Sequence, residues 1–325
     1  MNEHKLKAIP QRINIKQNFE NHYKKFLGEK YELFIKYSSS YINKAIRVNT
    51  LKISVDEVKS RLEKRWILKQ IPWCKEGFWI NYRINSSEEN ERFDIGNLIE
   101  HNLGYIYVQE ASSMIPPVVL NPKPGEIVLD MCAAPGSKAS QIAQYMKNKG
   151  VLICNDIQGS RLKPLGMNLQ RCGVSNSIIT MMKSKDFLNS NILYDKILVD
   201  APCSGTGTIR KSLKTLIMWS PNLIERLVKT QKQLVDTAFQ ILKPGGILVY
   251  STCTLEPEEN ESVVSFLLDK YTNAIIKKIN FKGNRTNPIT QFDGLKIRPE
   301  VKDCLRIHPY DNNSEGFFVA KIQKH

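Results

Sequence analysis

Two cysteines of this 325-residue chain are placed where thiols could attack a common substrate. Cys203 follows the apolar run Lys196–Val199, and Cys253 follows the apolar run Gly246–Tyr250. Both runs are typical of buried parallel strands, whose carboxyl ends meet at the crevice where open α/β sheets bind ligands. Thiolates are nucleophiles that form covalent intermediates. The pattern therefore predicts two neighbouring thiols and covalent chemistry.

Aspartates at the ends of other predicted strands indicate a second ligand in the same crevice. Asp130 opens a small-residue turn that contains Gly136, where backbone could approach a ligand closely ahead of a helix. Asp156 comes 20 residues after that glycine, the distance at which nucleotide-binding folds place a carboxylate on ribose hydroxyls. Asp186 follows the next strand, within reach of an adenine edge. Each aspartate alone could equally be a turn or helix cap.

From residue 127 onward, short apolar runs alternate with helical stretches. This alternation predicts a doubly wound, parallel α/β sheet. One helix is predicted between Ile224 and Leu242 and ends before Pro244-Gly245-Gly246. Strands are predicted at Ile127–Asp130, Val151–Cys154, Ser177–Thr180, Lys196–Val199, Gly246–Tyr250 and Phe317–Ile322.

The first hundred residues follow a different pattern. Residues 18–42 are predicted to be helical, Val55–Leu62 to form a short amphipathic helix, and Trp66–Tyr82 to be rich in β-structure. The polar stretch Ser86–Asn90 separates this part from the rest. We therefore expect two domains, residues 1–100 and residues 101–325.

The net charge of +15 is concentrated in two segments. Residues 1–70 contain 16 Lys and Arg against 7 acids, and residues 270–309 contain 9 against 3. Basic segments with interleaved aromatic side chains are typical of RNA-binding surfaces, although a well-solvated basic surface is an equal alternative from charge alone.

Other features exclude several classes of protein. The seven cysteines are scattered, without a CxxC pair, so neither a disulfide framework nor a zinc site is indicated. No apolar run approaches the length of a membrane span, which is about 18 residues or more. Met1–Arg12 lacks the apolar stretch of a secretory signal. We expect a cytoplasmic monomer that binds no metal and no membrane.

Several motifs resemble those of the Nop/Sun (Fmu-like) family of RNA cytosine-5 methyltransferases, and the resemblance spans residues 45–322. The order and spacing of the motifs also agree with that family. The matching segments are Arg47–Asn49, Gln109–Ser113, Cys132–Lys138, Asp200–Cys203 with Gly205–Gly207, Ser251–Thr254 with Pro257–Asn260, and Gly316–Lys321. Two positions depart from the family pattern, Ser137 in place of a glycine and Ala139 in place of a threonine.

The resemblance implies a Rossmann-like class I methyltransferase sheet with a smaller N-terminal α+β domain that binds RNA. It implies S-adenosylmethionine as the methyl donor and a structured RNA as the substrate, with tRNA favoured over rRNA. The residues that it implies for cofactor binding are Cys132, Ala133, Ala134, Pro135, Gly136, Ser137, Lys138, Asp156, Arg161, Asp186 and Asp200.

The resemblance also implies catalytic roles. Carbon 5 of cytosine becomes nucleophilic only after a thiolate adds to carbon 6. The resemblance implies Cys253 as the thiolate that adds and Cys203 as the residue that assists release of the product. It implies Asp200 as the hydrogen-bond partner of the cytosine edge. Cys203 is the rival nucleophile, because DNA cytosine-5 methyltransferases use a Pro-Cys cysteine. Lys138 or the helix after Pro257 is expected to activate Cys253; Glu256, Glu258 and Glu259 would oppose this activation if they pointed inward, so that we expect them to face solvent.

Two further interpretations stay open at this point. The chain could be a methyltransferase-like RNA-binding assembly factor whose chemistry is lost, or, less favoured, an enzyme acting on DNA. Arg47 and Asn49 could lie near the substrate, or could serve as a surface ion pair and a helix cap.

Overall fold

The protein is described by a computed structural model over residues 15–83, 94–292 and 294–325. The predictions for Met1–Arg12 and for the polar break Ser86–Asn90 fall outside these residues. The amino-terminal part contains α1 (Gln17–Leu27), α2 (Tyr31–Ser38), β1 (Ala45–Val48), α3 (Val55–Leu62), β2 (Trp66–Gln70), β3 (Gly77–Tyr82), α4 (Ile99–Asn102) and β4 (Ile106–Val108).

The remaining chain forms the larger α/β part. Its elements are α5 (Ile115–Leu120), β5 (Ile127–Asp130), α6 (Ser137–Met146), β6 (Val151–Asn155), α7 (Gly159–Arg171), β7 (Ser177–Thr180), β8 (Tyr194–Asp200), α8 (Lys214–Met218), α9 (Pro221–Gln240), β9 (Leu242–Thr252), α10 (Glu261–Lys270), β10 (Ala274–Ile276), β11 (Leu305–Ile307), α11 (Pro309–Asn312) and β12 (Phe317–Lys324).

The large sheet has the strand order β10-β12-β9-β8-β5-β6-β7, and β11 pairs with β12. The five central strands from β9 to β7 are parallel, whereas β12 is antiparallel to β9. Helices between successive parallel strands return the chain to the same edge of the sheet, so that all five strands end on one side. The predicted doubly wound sheet is therefore confirmed.

The sheet is buried because apolar side chains cover both of its faces. Val128, Leu198 and Val249 point into one core, together with α5 and α6. Leu129, Val199 and Tyr250 point into the other core, together with α9 and α10. This alternation within each strand follows the two-residue period of a β-strand. The central strands, which carry the site residues at their ends, are thereby fixed on both faces.

The amino-terminal elements form a second, antiparallel sheet of order β2-β3-β1-β4. Its strand β4 lies after residue 100 and pairs with β1, with Arg47 opposite Tyr107. The division into domains 1–100 and 101–325 stays a prediction. The predicted helical region 18–42 consists of two helices, α1 and α2, which pack against the loops of the larger part through Trp219 and Leu255.

Buried polar contacts join the small sheet to the large one. The Arg47 guanidinium donates to the Gln109 side chain, to the Ser137 carbonyl and to the Ser140 hydroxyl, each at 2.8 Å. The Asn49 amide donates to the carbonyls of Gly104 and Cys172, at 2.8 and 2.7 Å. Both side chains are buried, so neither forms the surface ion pair nor the helix cap considered as alternatives. They position the small sheet against α6 and α7.

Within the described ranges, none of the helices combines the length and the apolar character needed to cross a lipid bilayer.

Candidate active site

The two thiols meet at the ends of neighbouring parallel strands. Strands β8 and β9 pair in parallel with Asp200 opposite Ser251, so that the loops after them emerge side by side. The Sγ atoms of Cys203 and Cys253 lie 3.3 Å apart, and both residues are half-buried. The predicted neighbourhood of the two thiols is therefore confirmed.

Close contact between backbones fixes this arrangement. The Gly207 N–H donates to the Cys253 carbonyl at 3.0 Å, and the Gly316 N–H donates to the Gly207 carbonyl at 2.9 Å. A Cβ atom on Gly207 would lie 2.3 Å from the Gly316 oxygen and 2.8 Å from the Cys253 oxygen. Only a residue without a side chain allows the three segments to approach so closely.

The buried carboxylate of Glu259 holds the loop that contains Cys203. Glu259 accepts from the Ser204 N–H at 3.0 Å, from the Ser204 hydroxyl, and from the Gln231 amide at 2.7 Å. The Gln231 amide also donates to the Pro202 carbonyl at 2.9 Å. Burial raises the pKa of Glu259 to about 7, against the opposing effect of these hydrogen bonds. Ser204 is thus bound to Glu259 directly, and Pro202 is linked to the same acid through Gln231.

The expectation that the acids after Cys253 face solvent is wrong for two of the three. Glu256 and Glu259 are fully buried, and Glu258 is half-buried. Glu256 accepts from the Tyr23 hydroxyl at 2.7 Å, from the Trp219 indole at 2.8 Å and from His22 at 2.8 Å. These donors compensate the burial of its carboxylate. Glu256 therefore attaches α1 to the loop that follows Cys253.

Beside the thiols, Lys138 and Asp200 form an ion pair. The Lys138 Nζ lies 2.7 Å from Asp200 Oδ2, and the Ser251 hydroxyl donates to Asp200 Oδ1 at 2.8 Å. Burial alone would lower the pKa of Lys138, but the charge of Asp200 and its hydrogen bond outweigh burial and raise it. The side chain of Lys138, which the resemblance assigns to cofactor binding, is therefore in contact with Asp200.

The predicted cofactor loop, Cys132–Lys138, joins β5 to α6. Gly136 adopts φ +107°, a conformation that side-chain-bearing residues rarely adopt, and so turns the chain into the helix. The Arg47 guanidinium donates to the Ser137 carbonyl at 2.8 Å, and the Asn168 amide donates to the Pro135 carbonyl at 2.9 Å. The loop is therefore held from both sides.

Asp156 and Arg161, two of the predicted cofactor ligands, lie beside this loop. Arg161 pairs with Asp156 at 3.0 Å and donates to the Ala134 carbonyl. Asp186 differs from them, because it is exposed in a short turn beyond β7. Its carboxylate accepts from the Lys183 N–H at 3.1 Å and so caps that turn.

Asp130 was recognised in the sequence as a strand-end acid but was not assigned to the cofactor site. It is 1% exposed, and neither of its carboxylate oxygens has a hydrogen-bond partner within the described ranges. Burial and, next, the charge of Asp200 raise its pKa to about 7. An unpartnered buried carboxylate is costly, which indicates a ligand that supplies the missing donors.

Other contributors could not be found in the sequence. Gln231 lies on α9, and its amide binds both Glu259 and the Pro202 carbonyl. Its only signal was a polar residue on the buried side of a helix.

Comparisons with known proteins agree with this geometry. A family model described as 16S rRNA methyltransferase RsmB/F matches residues 117–323, and a model of the N-terminal domain of 16S rRNA methyltransferase RsmF matches residues 15–111. The fold and the strand-end site are those of a methyltransferase. The chain belongs to the RsmB/F family, which confirms the predicted resemblance and the predicted enzyme class, an RNA cytosine-5 methyltransferase.

Similar proteins have been characterised under two names. The tRNA (cytosine(49)-C(5))-methyltransferase of Pyrococcus abyssi is 44% identical over 96% of this chain and 99% of that protein. The ribosomal RNA small subunit methyltransferase F of Shewanella amazonensis is 43% identical over 90% of this chain, which spans 60% of that relative's length.

Solved structures agree with the fold. The crystal structure of a methyltransferase homolog from Pyrococcus horikoshii superposes with a TM-score of 0.85, at 40% identity and with 97% of each chain covered. NSun6 from the same organism, solved with SFG, superposes with a TM-score of 0.80 at 26% identity, covering 95% of this chain and 98% of that one.

The packing of Gly207 can be tested by Gly207→Ala. Because the added methyl group would meet backbone oxygens that cannot rotate away, we expect the free energy of unfolding to fall by about 1–3 kcal/mol. Urea unfolding measures this. Gly166→Ala is the matched control, because its Cβ would meet only Ile179 at 3.5 Å on a helix, and we expect it to stabilise by about 0.5–1 kcal/mol. Equal effects of the two changes would contradict the packing argument.

Proposed function

We propose that the protein methylates carbon 5 of a cytosine in tRNA, with S-adenosylmethionine as methyl donor and Cys253 as nucleophile. The observation that carries the proposal is the 3.3 Å contact between the two thiols beside the Lys138–Asp200 ion pair. A tRNA substrate is supported by the similarity to the Pyrococcus abyssi enzyme over nearly the whole of both chains. Residues 1–100 would position the RNA over the catalytic part, residues 101–325.

The charge pattern of the ion pair is complementary to cytosine. Cytosine presents an exocyclic amine, which is a donor, next to ring nitrogen 3, which is an acceptor. Asp200 accepts from the amine, and the ammonium of Lys138 donates to nitrogen 3, where negative charge develops when a thiolate adds to carbon 6. Uracil would present a donor to Lys138 and an acceptor to Asp200. The pair therefore selects cytosine and stabilises the adduct.

The unequal environments of the thiols support Cys253 as nucleophile. The hydrogen bond between the sulfurs and, next, burial raise the pKa of Cys203 well above its ordinary value. Cys203 therefore keeps its proton and donates it toward the Cys253 sulfur, which is then the sulfur able to attack. The Lys138 ammonium is near enough to the Cys253 sulfur that the two groups interact electrostatically.

Later steps return both thiols to their starting state. S-adenosylmethionine, when bound, supplies an electrophilic methyl group for carbon 5. A base then takes the proton from carbon 5, its electron pair restores the double bond to carbon 6, and the bond between carbon 6 and Cys253 breaks to release the thiolate. Cys203, after losing its own proton to solvent, is suited as that base, because the hydrogen bond to Cys253 and the charge of Cys253, which both raise the pKa of Cys203, are absent while the adduct exists.

The residues around β5 and β6 fit the donor. Asp130 offers to the ammonium of the methionine end a buried carboxylate that has no hydrogen-bond partner within the described residues. Asp156, directly after β6, is buried and held by Arg161, and would accept from the ribose hydroxyls. Gly136 lets the loop pack closely against Leu165 of α7, where a Cβ atom would lie 3.2 Å from the Leu165 side chain. The solved NSun6 with SFG, an analogue of this donor, supports the same cofactor class.

Covalent catalysis is tested with single cysteine variants and a tRNA transcript. We expect Cys203→Ala to accumulate a protein–RNA adduct, because the adduct forms but is released slowly, and Cys253→Ala to form none. Denaturing gels report the adduct as a band of lower mobility, and Cys304→Ala serves as a control because Cys304 is buried away from the site. The opposite pattern would exchange the two roles, and no adduct with either variant would contradict covalent catalysis.

The role of Asp130 predicts a pH dependence. Only the ionised carboxylate can bind an ammonium group, so that affinity is complete above the pKa of about 7 and is lost as pH falls through it. We expect the affinity for S-adenosylhomocysteine to drop roughly tenfold between about pH 8 and about pH 6. Calorimetric titration of Asp130→Asn should give weak binding at both pH values. If Asp130→Asn kept the pH profile of the wild type, Asp130 would not be the group that binds the ammonium. Asp236→Asn is the control variant and should bind like the wild type.

The RNA substrate is identified by mapping 5-methylcytosine in cells with and without the gene. Loss of one or a few positions in tRNA is expected, with 16S rRNA unchanged. Purified protein should methylate unmodified tRNA from the deleted strain but not its small ribosomal subunits. The reverse result would assign the enzyme to rRNA, and no methylation of any RNA would favour the assembly-factor interpretation.

A further inference from the structure

A second cleft lies between the small sheet and the large one, away from the thiols. It has a volume of about 810 Å³ and is lined by the β2–β3 turn, by α5 with the loop after it, by the carboxyl end of α6, and by residues 279–282. Gln144 in its wall is seven residues beyond Ser137 of the cofactor loop, roughly 10 Å along a helix. We call this the basic cleft; its defining residues are Lys75, Gln144, Tyr145, Lys147, Phe281 and Lys282.

The basic cleft has a strong excess of positive charge. Four exposed lysines line it, of which Lys123 donates to the Asn121 side chain. The lining has a single acid, Glu76, whose carboxylate accepts from the Tyr145 hydroxyl at 3.2 Å. Across the described part of the chain, no carboxylate pairs with the other three lysines of the lining. Such unneutralised lysines favour a polyanion.

Aromatic side chains lie among these lysines. Phe281 is half-buried and packs on Trp73 with ring centroids 5.0 Å apart and an angle of 33° between the planes. Tyr145, on the facing helix, is also half-buried. Unpaired bases stack on aromatic faces of this kind in single-stranded RNA complexes.

The wall of the cleft also contains an unsatisfied amide. Gln144 is 3% exposed, and neither its Nε2 nor its Oε1 has a hydrogen-bond partner in the described ranges. Leaving both ends of a buried amide unpaired is unfavourable, so that a missing partner is indicated. A glutamine amide presents one acceptor and a donor side by side, which matches a base edge that carries a donor next to an acceptor, as in adenine.

We propose that the basic cleft binds an unpaired nucleotide of the RNA substrate, distant from the cytosine that is methylated. The base lies against Phe281 and Tyr145 with its edge toward Gln144, and the adjoining phosphates lie against Lys75, Lys147 and Lys282. This inference rests on the proposed function, because it requires that the substrate be RNA. It gives the basic segment 270–309 a specific task through Lys282.

The charge contribution is tested by changing Lys75, Lys147 and Lys282 together to Glu. We expect affinity for a tRNA transcript to fall about tenfold or more, and the slope of log K against log salt to decrease in magnitude by about 2–3, because three phosphate contacts are lost. Filter binding across a salt series measures both quantities. The control changes three exposed lysines outside the two basic segments, Lys163, Lys185 and Lys229, to Glu. Equal effects in the two triple variants would overturn the proposal.

The base contact is tested by Gln144→Met, which keeps the volume of the side chain and removes the amide. We expect a higher melting temperature, because an unpaired amide is lost, together with a several-fold weaker affinity for the transcript and an unchanged salt slope. Affinity for S-adenosylhomocysteine should stay the same. Unchanged RNA affinity in this variant would contradict the assignment of a base to Gln144.

A free nucleotide has the same chemistry as a nucleotide within RNA, and AMP distinguishes the two sources. One outcome is that AMP binds the wild type but not the triple variant of Lys75, Lys147 and Lys282, while this variant and the control triple variant bind RNA equally. The ligand is then a free nucleotide and the proposal is wrong. A second outcome is that the wild type methylates RNA, while the triple cleft variant binds RNA like the control triple variant and Gln144→Met binds RNA like the wild type. Only the assignment of the basic cleft then fails. If the wild type neither binds nor methylates RNA, the proposed function and the assignment of the basic cleft both fail.

Discussion

The site depends on one close approach between backbones. Gly207 lies between the Cys253 carbonyl and Gly316, and a single Cβ atom would lie 2.3 Å from the Gly316 oxygen. These three segments follow β8, follow β9 and precede β12, so that their contact sets how the strand ends converge. A shift of any of these segments would change the 3.3 Å distance between the two sulfur atoms. The glycines therefore help to hold the two thiols in contact, although neither glycine carries a side chain.

Buried acids around the thiols have separate tasks, which their partners decide. Glu256 and Glu259 accept from several donors and hold α1 and the Cys203 loop, whereas Asp200 pairs with Lys138 and Ser251 beside the thiols. Within the described residues, no side-chain or backbone donor satisfies the geometric criteria for a hydrogen bond to either carboxylate oxygen of Asp130. A carboxylate with its hydrogen bonds filled by the protein stabilises structure, and one left open is available for a ligand. The number of filled hydrogen bonds therefore distinguishes the acids that stabilise the structure from the acid proposed to bind the cofactor. The amino-acid composition of this region shows only that negative charges are clustered.

Periodicity and strand-end position were sufficient to predict much of the molecule. Alternating apolar runs located β5, β7 and α3 to the residue, and the motifs around Cys203 and Cys253 located the thiols. The orientation of Glu256 and Glu259 could not be predicted, because their donors, Tyr23, Trp219 and Ser204, are distant in sequence and meet them only in the folded chain. Arg47 was ambiguous for the same reason: its acceptors on α6 are 90 and 93 residues away.

Arg47 contacts the helix α6, which extends from the predicted cofactor loop to the basic cleft. Its guanidinium binds the amino end of α6 next to the cofactor loop, and the carboxyl end of the same helix supplies Gln144 and Tyr145 to the basic cleft. A helix of ten residues is stiff over its length of roughly 15 Å. RNA that fills the basic cleft would therefore bear on an element whose other end presents Lys138 to Asp200. The small sheet, through the buried Arg47, thereby fixes α6, whose two ends lie at the two places where the proposed RNA substrate would bind.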